Sequence, residues 1–105
     1  MEYIHCKQIV NGRLYNTSAS YAIFEANNRC YFITPKGNYF SAIENRTVVP
    51  QARIPKIKNG LPLLNYKFVC RYSNIRPETL ETVKEALAKY DADRYQDMFG
   101  EVEHA

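Results

Sequence analysis

The clearest alternation of apolar and polar residues lies between residues 65 and 72. Every second position there is apolar, namely Tyr66, Phe68, Cys70 and Tyr72. The positions between them are Lys67, Val69 and Arg71. Because successive side chains of a strand point to opposite faces, the pattern predicts a strand with one buried face and one face that carries cations.

Shorter apolar runs, separated by turn residues, predict further strands earlier in the chain. They span residues 3–10, 13–15, 20–26, 30–34 and 39–43. Asn11-Gly12 favours a two-residue hairpin turn, and the sequence 35–38 (Pro-Lys-Gly-Asn) favours a second tight turn. Short strands joined in this way are typical of an antiparallel meander.

The end of the chain has helical periodicity. Its apolar stripe consists of Leu80, Val83, Leu87 and Tyr90. We expect the helix to begin near Pro77 and the stripe to pack on the sheet face that carries some of Tyr66, Phe68, Cys70 and Tyr72. A second short helix is expected around Tyr95 and Phe99, with Gly100 as its stop and a frayed tail at 101–105.

These elements predict an α+β fold in a single domain, residues 1–105. The fold would be an antiparallel β-meander sheet of about four to six strands with one or two C-terminal helices packed on it. Pro50, Pro55, Gly60 and Pro62 interrupt every pattern, so residues 50–62 are expected to form a loop or extended arm.

Charge divides the chain at the expected boundary between sheet and helix. Residues 1–76 contain eleven Lys or Arg and three acids, whereas residues 77–105 contain three Lys or Arg and eight acids. A basic β-rich part is therefore followed by an acidic helical part, within a formal net charge of +3. Such sorting is typical of proteins that meet polyanions or charged partner surfaces.

Neither a catalytic motif nor a metal-binding spacing is present in the sequence. His5 and His104 have no nucleophile and acid placed beside them, and there is no phosphate-binding glycine loop. The three cysteines, Cys6, Cys30 and Cys70, are far apart, so we expect buried free thiols rather than a metal centre. The sequence thus predicts a protein that is not an enzyme and has no cofactor.

Binding is the function class that remains. We expect the contact to come from Arg53, Lys56, Lys58, Lys67 and Arg71, with Tyr39 and Tyr72 as aromatic anchors. Cations interleaved with aromatic rings suit RNA or single-stranded DNA. Tyr and Arg also dominate protein interfaces, so a protein partner is equally compatible with these residues.

Two short stretches resemble the hairpins of small proteins carried by phages and plasmids. They are residues 9–17 (Ile-Val-Asn-Gly-Arg-Leu-Tyr-Asn-Thr) and 34–40 (Thr-Pro-Lys-Gly-Asn-Tyr-Phe). Some proteins of that kind are anti-CRISPR proteins, which bind a CRISPR effector and block it. The resemblance covers the first 44 residues at most and implies a mobile-element context, but it assigns no functional residues.

We therefore expect a mobile-element protein that inhibits or modulates a host nucleic-acid-handling complex in an anti-CRISPR-like manner. The alternative is a stand-alone RNA- or single-strand-DNA-binding protein that uses a basic, Tyr-rich sheet face. The sequence contains no secretory signal and no apolar run of the ~20 residues that span a bilayer, so a cytoplasmic location without membrane contact is expected. The oligomeric state stays open, because an exposed edge strand can pair two copies.

Overall fold

The computed structural model describes residues 1–50, 56–58, 61–63 and 66–105, which contain nine strands, two α-helices and one short 3₁₀ helix, Thr17–Ala19. The strands are β1 (Glu2–Ile4), β2 (Lys7–Val10), β3 (Arg13–Asn16), β4 (Tyr21–Ala26), β5 (Arg29–Ile33), β6 (Tyr39–Pro50), β7 (Lys56–Lys58), β8 (Leu61–Leu63) and β9 (Tyr66–Glu78). The helices are α1 (Leu80–Tyr90) and α2 (Ala92–Phe99). The fold is α+β, as predicted.

The main sheet has five strands in the order β1-β9-β6-β5-β4. Strands β4, β5 and β6 form the expected antiparallel meander, and β9 adds to β6 in the antiparallel sense. Strand β1 pairs in parallel with β9, with Tyr3 opposite Cys70. The sheet is therefore mixed, and the prediction of a purely antiparallel meander was wrong at this edge.

The predicted strand 3–10 is divided into β1 and β2. The break at His5 and Cys6 is held by Thr17, whose Oγ1 accepts a hydrogen bond from the Cys6 amide at 2.9 Å. Beyond the break, β2 and β3 form a separate two-stranded sheet around the predicted turn, where Asn11 and Gly12 have φ angles of 52° and 75°. Both residues thus adopt the left-handed conformation that this turn requires.

One face of the main sheet is covered by the β2–β3 hairpin. The core there consists of Tyr15, Cys30, Phe32, Phe40, Ala42, Cys70, Tyr72 and Ile75, with Cys6 and Val10 at its margin. The rings of Phe32 and Phe40 stack at 5.0 Å between centroids, on neighbouring strands. Seven of these eight side chains come from β5, β6 and β9 of the main sheet and Tyr15 comes from β3, so the core lies between the hairpin and the sheet.

The opposite face carries the helices. Val83 and Leu87 of α1 are fully buried and pack with Ile23 and Phe24 of β4. These two neighbours on one strand both join this cluster because a bulge shifts the register between Ala22 and Phe24. The predicted stripe therefore packs on the sheet, but on the face opposite to Cys70 and Tyr72.

The ends of the stripe and the start of the helix also differ from prediction. Leu80 and Tyr90 are exposed by 40% and 45%. Thr79 is the residue that caps α1, through a capping box with Thr82, while Pro77 still pairs with Phe40 in the sheet. A second helix ending at Gly100, whose φ is 96°, is confirmed, and residues 101–105 have no regular structure.

The expected loop at 50–62 lies mainly outside the described residues. Within it, β7 and β8 pair as an antiparallel ladder with Lys56 opposite Leu63. This short ladder is the part of the expected loop or extended arm that the structure describes beyond the end of β6. No helix in the described part of the chain combines the length and apolar character needed to cross a membrane.

Candidate binding surface

Strands β6 and β9 continue past the other strands of the sheet as a two-stranded ribbon. We call residues 47–50 and 66–68 the arm. Val48 pairs with Phe68, and Pro50 pairs with Tyr66, so these side chains share one face. Val48, Phe68 and Tyr66 are exposed by 54%, 59% and 56%. This alternation gives the arm an apolar face that nothing in the described part of the chain covers.

Tyr3 extends the apolar face toward the body of the protein. It lies opposite Cys70 on β1 and is 51% exposed. Its ring is parallel to that of Tyr72, with 6.2 Å between the centroids, and the His5 ring stacks on Tyr72 at 5.8 Å. The exposed Tyr3 ring is thus held in place by a buried neighbour, which reduces the entropy lost when a partner contacts it.

The two predicted aromatic anchors lie in the two cores. Tyr72 is only 8% exposed, and burial raises its pKa, with the nearby Cys30 and Cys70 thiols adding to the shift. Tyr39 is half-buried beside the helix-facing cluster. The alternation at 65–72 predicted the correct face for Tyr72, but the aromatic groups exposed on that face are Tyr3, Tyr66 and Phe68.

The predicted cations lie on the other face of β9 or beyond it. Lys67 donates to a carboxylate oxygen of Glu2 at 2.7 Å, whereas Arg71 is exposed. Lys56 and Lys58 lie on β7 at positions opposite Leu63 and Leu61. Arg53 lies outside the described residues. The structure brings Lys67 and Arg71 together on one strand face, away from the apolar face of the arm.

Other sheet cations are held by acids. Arg76 donates from Nε to Glu78 Oε1 at 2.8 Å, and Ser41 Oγ donates to the same oxygen at 2.8 Å. Burial raises the pKa of Glu78, but the hydrogen bonds from Ser41, Arg76 and Thr82 outweigh it, so the net shift is downward. Glu78 therefore balances the charge of Arg76 locally.

A second group of charged residues lies at the margin of the hairpin-covered core, where three strands adjoin. Arg46 donates from Nη2 to both oxygens of Glu25, at 2.9 and 2.8 Å, and from Nε to Glu44. The Cys30 thiol lies beside both carboxylates. Burial is the main cause that raises the pKa of Glu25, followed by the neighbouring Glu44, while Arg46 opposes the shift.

The register of the sheet creates this acid–thiol cluster, which we define as Glu25, Cys30, Glu44 and Arg46. Glu25 lies directly opposite Cys30, and the backbone amide of Glu44 donates to the carbonyl of Asn28 at 2.8 Å. A cleft of about 630 Å³ opens beside the cluster. The order and spacing of these residues match no short metal-binding motif, so the sequence did not indicate them.

A second cleft, of about 700 Å³, lies between the two hairpin turns. Arg13 and Lys36 line it, and Arg13 donates to Asn38 Oδ1 at 3.3 Å. These cations lie on different elements from Lys67 and Arg71, so the described cations do not follow a single strand.

Comparison with protein family models, curated proteins and solved structures gives no match. Function therefore has to be inferred from the residues of this chain. Chemically, the described residues offer an apolar face on the arm and a cluster beside a cleft that joins the buried Cys30 thiol and Glu44 carboxylate to the exposed Glu25 carboxylate.

Proposed function

We propose that this chain is a non-enzymatic binding protein that docks on a protein or nucleoprotein partner through the apolar face of the arm. The observation that carries the proposal is the exposure of Val48, Phe68 and Tyr66 on one face of paired strands. Contiguous exposed apolar side chains mark interaction sites, and aromatic residues dominate the energetics of such sites.

The geometry of the arm suits insertion into a groove. Strands β6 and β9 have 12 and 13 residues, about twice the usual length of five to six residues. Their inner halves are anchored in the sheet, so the outer halves are presented on a scaffold that is already ordered. A preorganised ribbon loses less conformational entropy on binding than a disordered segment does.

The class of partner follows from the hairpin resemblance. We propose a host nucleic-acid-handling complex, with a CRISPR effector as the first candidate, which the protein would inhibit in the manner of mobile-element proteins. The support consists of the motifs at 9–17 and 34–40 together with the charge division along the chain.

Direct binding of RNA or single-stranded DNA is the second candidate. Lys67 and Arg71 share a strand face, which favours contact with phosphates. The anchors expected for base stacking, Tyr39 and Tyr72, are half-buried and buried respectively, and Lys67 is already paired with Glu2. The described residues therefore support the protein-directed function more strongly.

Phe68→Ser tests the proposed function. The variant should keep its thermal stability and lose inhibition of the partner complex, because an exposed side chain contributes little to folding. Tyr21→Ser is the matched control, since Tyr21 is an aromatic residue of the same sheet that is 67% exposed and lies on β4, away from the arm. Inhibition is measured as the loss of target cleavage by reconstituted CRISPR effectors, with complex formation followed by size-exclusion chromatography.

Equal activity of the two variants would contradict docking through the arm. The nucleic-acid candidate predicts a different outcome, namely binding of single-stranded oligonucleotides that weakens steeply with salt and is lost in Arg71→Glu. Self-association through the arm, seen as a change in molar mass by light scattering that Phe68→Ser removes, would replace the proposed partner by a second copy of the chain.

A further inference from the structure

The acid–thiol cluster has the composition of a metal site. One carboxylate oxygen of Glu25, one of Glu44 and the Sγ atom of Cys30 all lie within 4.8 Å of one another. Around a tetrahedral zinc ion, with bonds of about 2.0–2.3 Å, ligand atoms are roughly 3.3–3.8 Å apart. The three groups therefore need to approach by about 1 Å, which is within the reach of side-chain rotations.

Glu44 supplies an independent indication that a ligand belongs there. Its side chain is 6% exposed, and while Oε1 accepts from Arg46, Oε2 is buried without any hydrogen-bond partner. Buried carboxylate oxygens are ordinarily paired, so this oxygen is one that a bound cation would satisfy.

We propose that Glu25, Cys30 and Glu44 bind one divalent metal ion of the zinc type, with the fourth coordination position facing the cleft. A thiolate together with two carboxylates suits Zn²⁺ or Co²⁺, whereas Mg²⁺ and Ca²⁺ prefer ligand sets made of oxygen alone. The site uses three neighbouring strands, so metal binding would join β4, β5 and β6 at one margin of the sheet. This inference does not depend on the proposed function.

The strand order rules out a disulfide between Cys30 and Cys70. Cys30 lies on β5 and Cys70 on β9, and β6 runs between them. Neighbouring strands are about 4.8 Å apart, so the two Cα atoms are at least roughly 9–10 Å apart, and the partners of Cys30 and Cys70 on β6, Ala42 and Arg46, are offset along that strand as well. A disulfide requires less than about 7 Å.

Metal binding has to displace the proton of the Cys30 thiol and the guanidinium of Arg46. Zinc binds cysteine as the thiolate, so binding releases the proton of the Cys30 thiol. The ion forms the metal–sulfur bond as the thiol proton passes to buffer, and Arg46 gives up the carboxylates that the ion takes. The groups facing Cys30 from other strands are Glu25, Glu44, Arg46, Cys70 and Tyr72. Affinity should therefore rise with pH, since a thiol proton is released.

Titration of the reduced, full-length chain with Co²⁺ and Zn²⁺ tests the site. We expect one ion per chain by calorimetry, and a thiolate-to-cobalt charge-transfer band in the absorption spectrum that Zn²⁺ abolishes. Cys30→Ser should lose the band. Cys6→Ser is the matched control and should keep it, because Cys6 borders the same core but lies outside the cluster.

Two further substitutions test whether carboxylates bind the ion and whether Arg46 competes with it. Glu44→Gln should weaken Zn²⁺ binding at least tenfold, because one ligand is replaced by a neutral amide of equal size. Arg46→Gln should strengthen binding, because the competing guanidinium is removed. Opposite effects of two neighbouring substitutions are not expected if the residues only maintain the fold.

Three results would overturn the proposal. They are the absence of a charge-transfer band in the folded wild-type protein, a band that disappears in Cys6→Ser instead of Cys30→Ser, and Zn²⁺ affinity that is the same in wild type and Glu44→Gln. If Cys30→Ser does not fold, as judged by circular dichroism, the comparison of wild type with Glu44→Gln and Arg46→Gln decides.

Discussion

Replacing Leu87 with Ala is expected to lower the free energy of unfolding by about 3 kcal/mol. Leu87 is fully buried between α1 and β4, in the cluster that contains Ile23, Phe24 and Val83. Shortening a buried leucine to alanine costs about 2–5 kcal/mol, because apolar surface is lost from the core and a cavity is left behind. Domains of this size are stable by about 5–15 kcal/mol, so the loss is a substantial part of the total.

Leu80→Ala provides the matched control for this prediction. Leu80 lies two turns earlier on the same helix, yet 40% of it is exposed. Alanine has the higher helix propensity, so shortening an exposed leucine should change stability by less than about 1 kcal/mol. Leu87→Ala and Leu80→Ala thus make the same chemical change at a buried and at an exposed position of one helix.

Urea denaturation followed by circular dichroism measures both variants. The midpoint should fall clearly for Leu87→Ala and hardly for Leu80→Ala, with equal slopes, because neither change alters the surface exposed on unfolding appreciably. Equal midpoints would refute the packing of α1 on β4. A more severe change, Leu87→Asp, should prevent folding, since it places a charge in a fully buried apolar cluster.

Two further predictions concern Glu78 and the first hairpin. The pKa of Glu78 is lower in the folded state than its ordinary value of 4.5, so the stability that the Glu78 carboxylate contributes is present at neutral pH and is lost as pH falls below 4.5. Glu78→Gln should therefore flatten the dependence of the unfolding free energy on pH, measured by denaturation between acid and neutral pH. An unchanged dependence would contradict a lowered pKa at Glu78. Gly12→Ala should cost about 1 kcal/mol, because the φ of 75° is strained for alanine while an added Cβ meets nothing within 4 Å. A loss of several kcal/mol in the same denaturation assay would show that the hairpin depends on more than backbone strain.

Local features of the fold were predictable from the sequence because they are encoded by neighbouring residues. Asn11-Gly12 forms the expected turn, and Val83 and Leu87 form the buried centre of the expected stripe. In contrast, the division of the 3–10 run depends on Thr17, and the parallel pairing of β1 depends on residues near position 70. Contacts between distant residues have no signature in the periodicity of either segment.

For the candidate sites too, the sequence predicted what neighbouring residues encode and missed what depends on contacts between strands. Alternation at 65–72 indicated which side chains share a face, but it did not indicate which of them the β2–β3 hairpin covers, so Phe68 and Cys70 were treated alike. Glu25, Cys30 and Glu44 fit no short metal-binding spacing, and the register of three strands is what brings them together. A pattern in sequence therefore predicts orientation better than it predicts burial or partnership.

The parallel pairing of β1 with β9 has a consequence for the order of folding. The Glu2–Lys67 ion pair at this edge joins residues 65 positions apart, whereas the turn of the β2–β3 hairpin has two residues. Closure entropy grows by about 0.6 kcal/mol for each doubling of loop length, so bringing β1 to β9 costs roughly 3 kcal/mol more than closing the hairpin. The hairpins and the meander can form while β1 is still free, and β1 completes the edge of the sheet only after β9 has found its place on β6. We therefore expect the first strand in the sequence to be the last to join the sheet, which would leave the outer edge of β9, including Cys70, open to other strands until then.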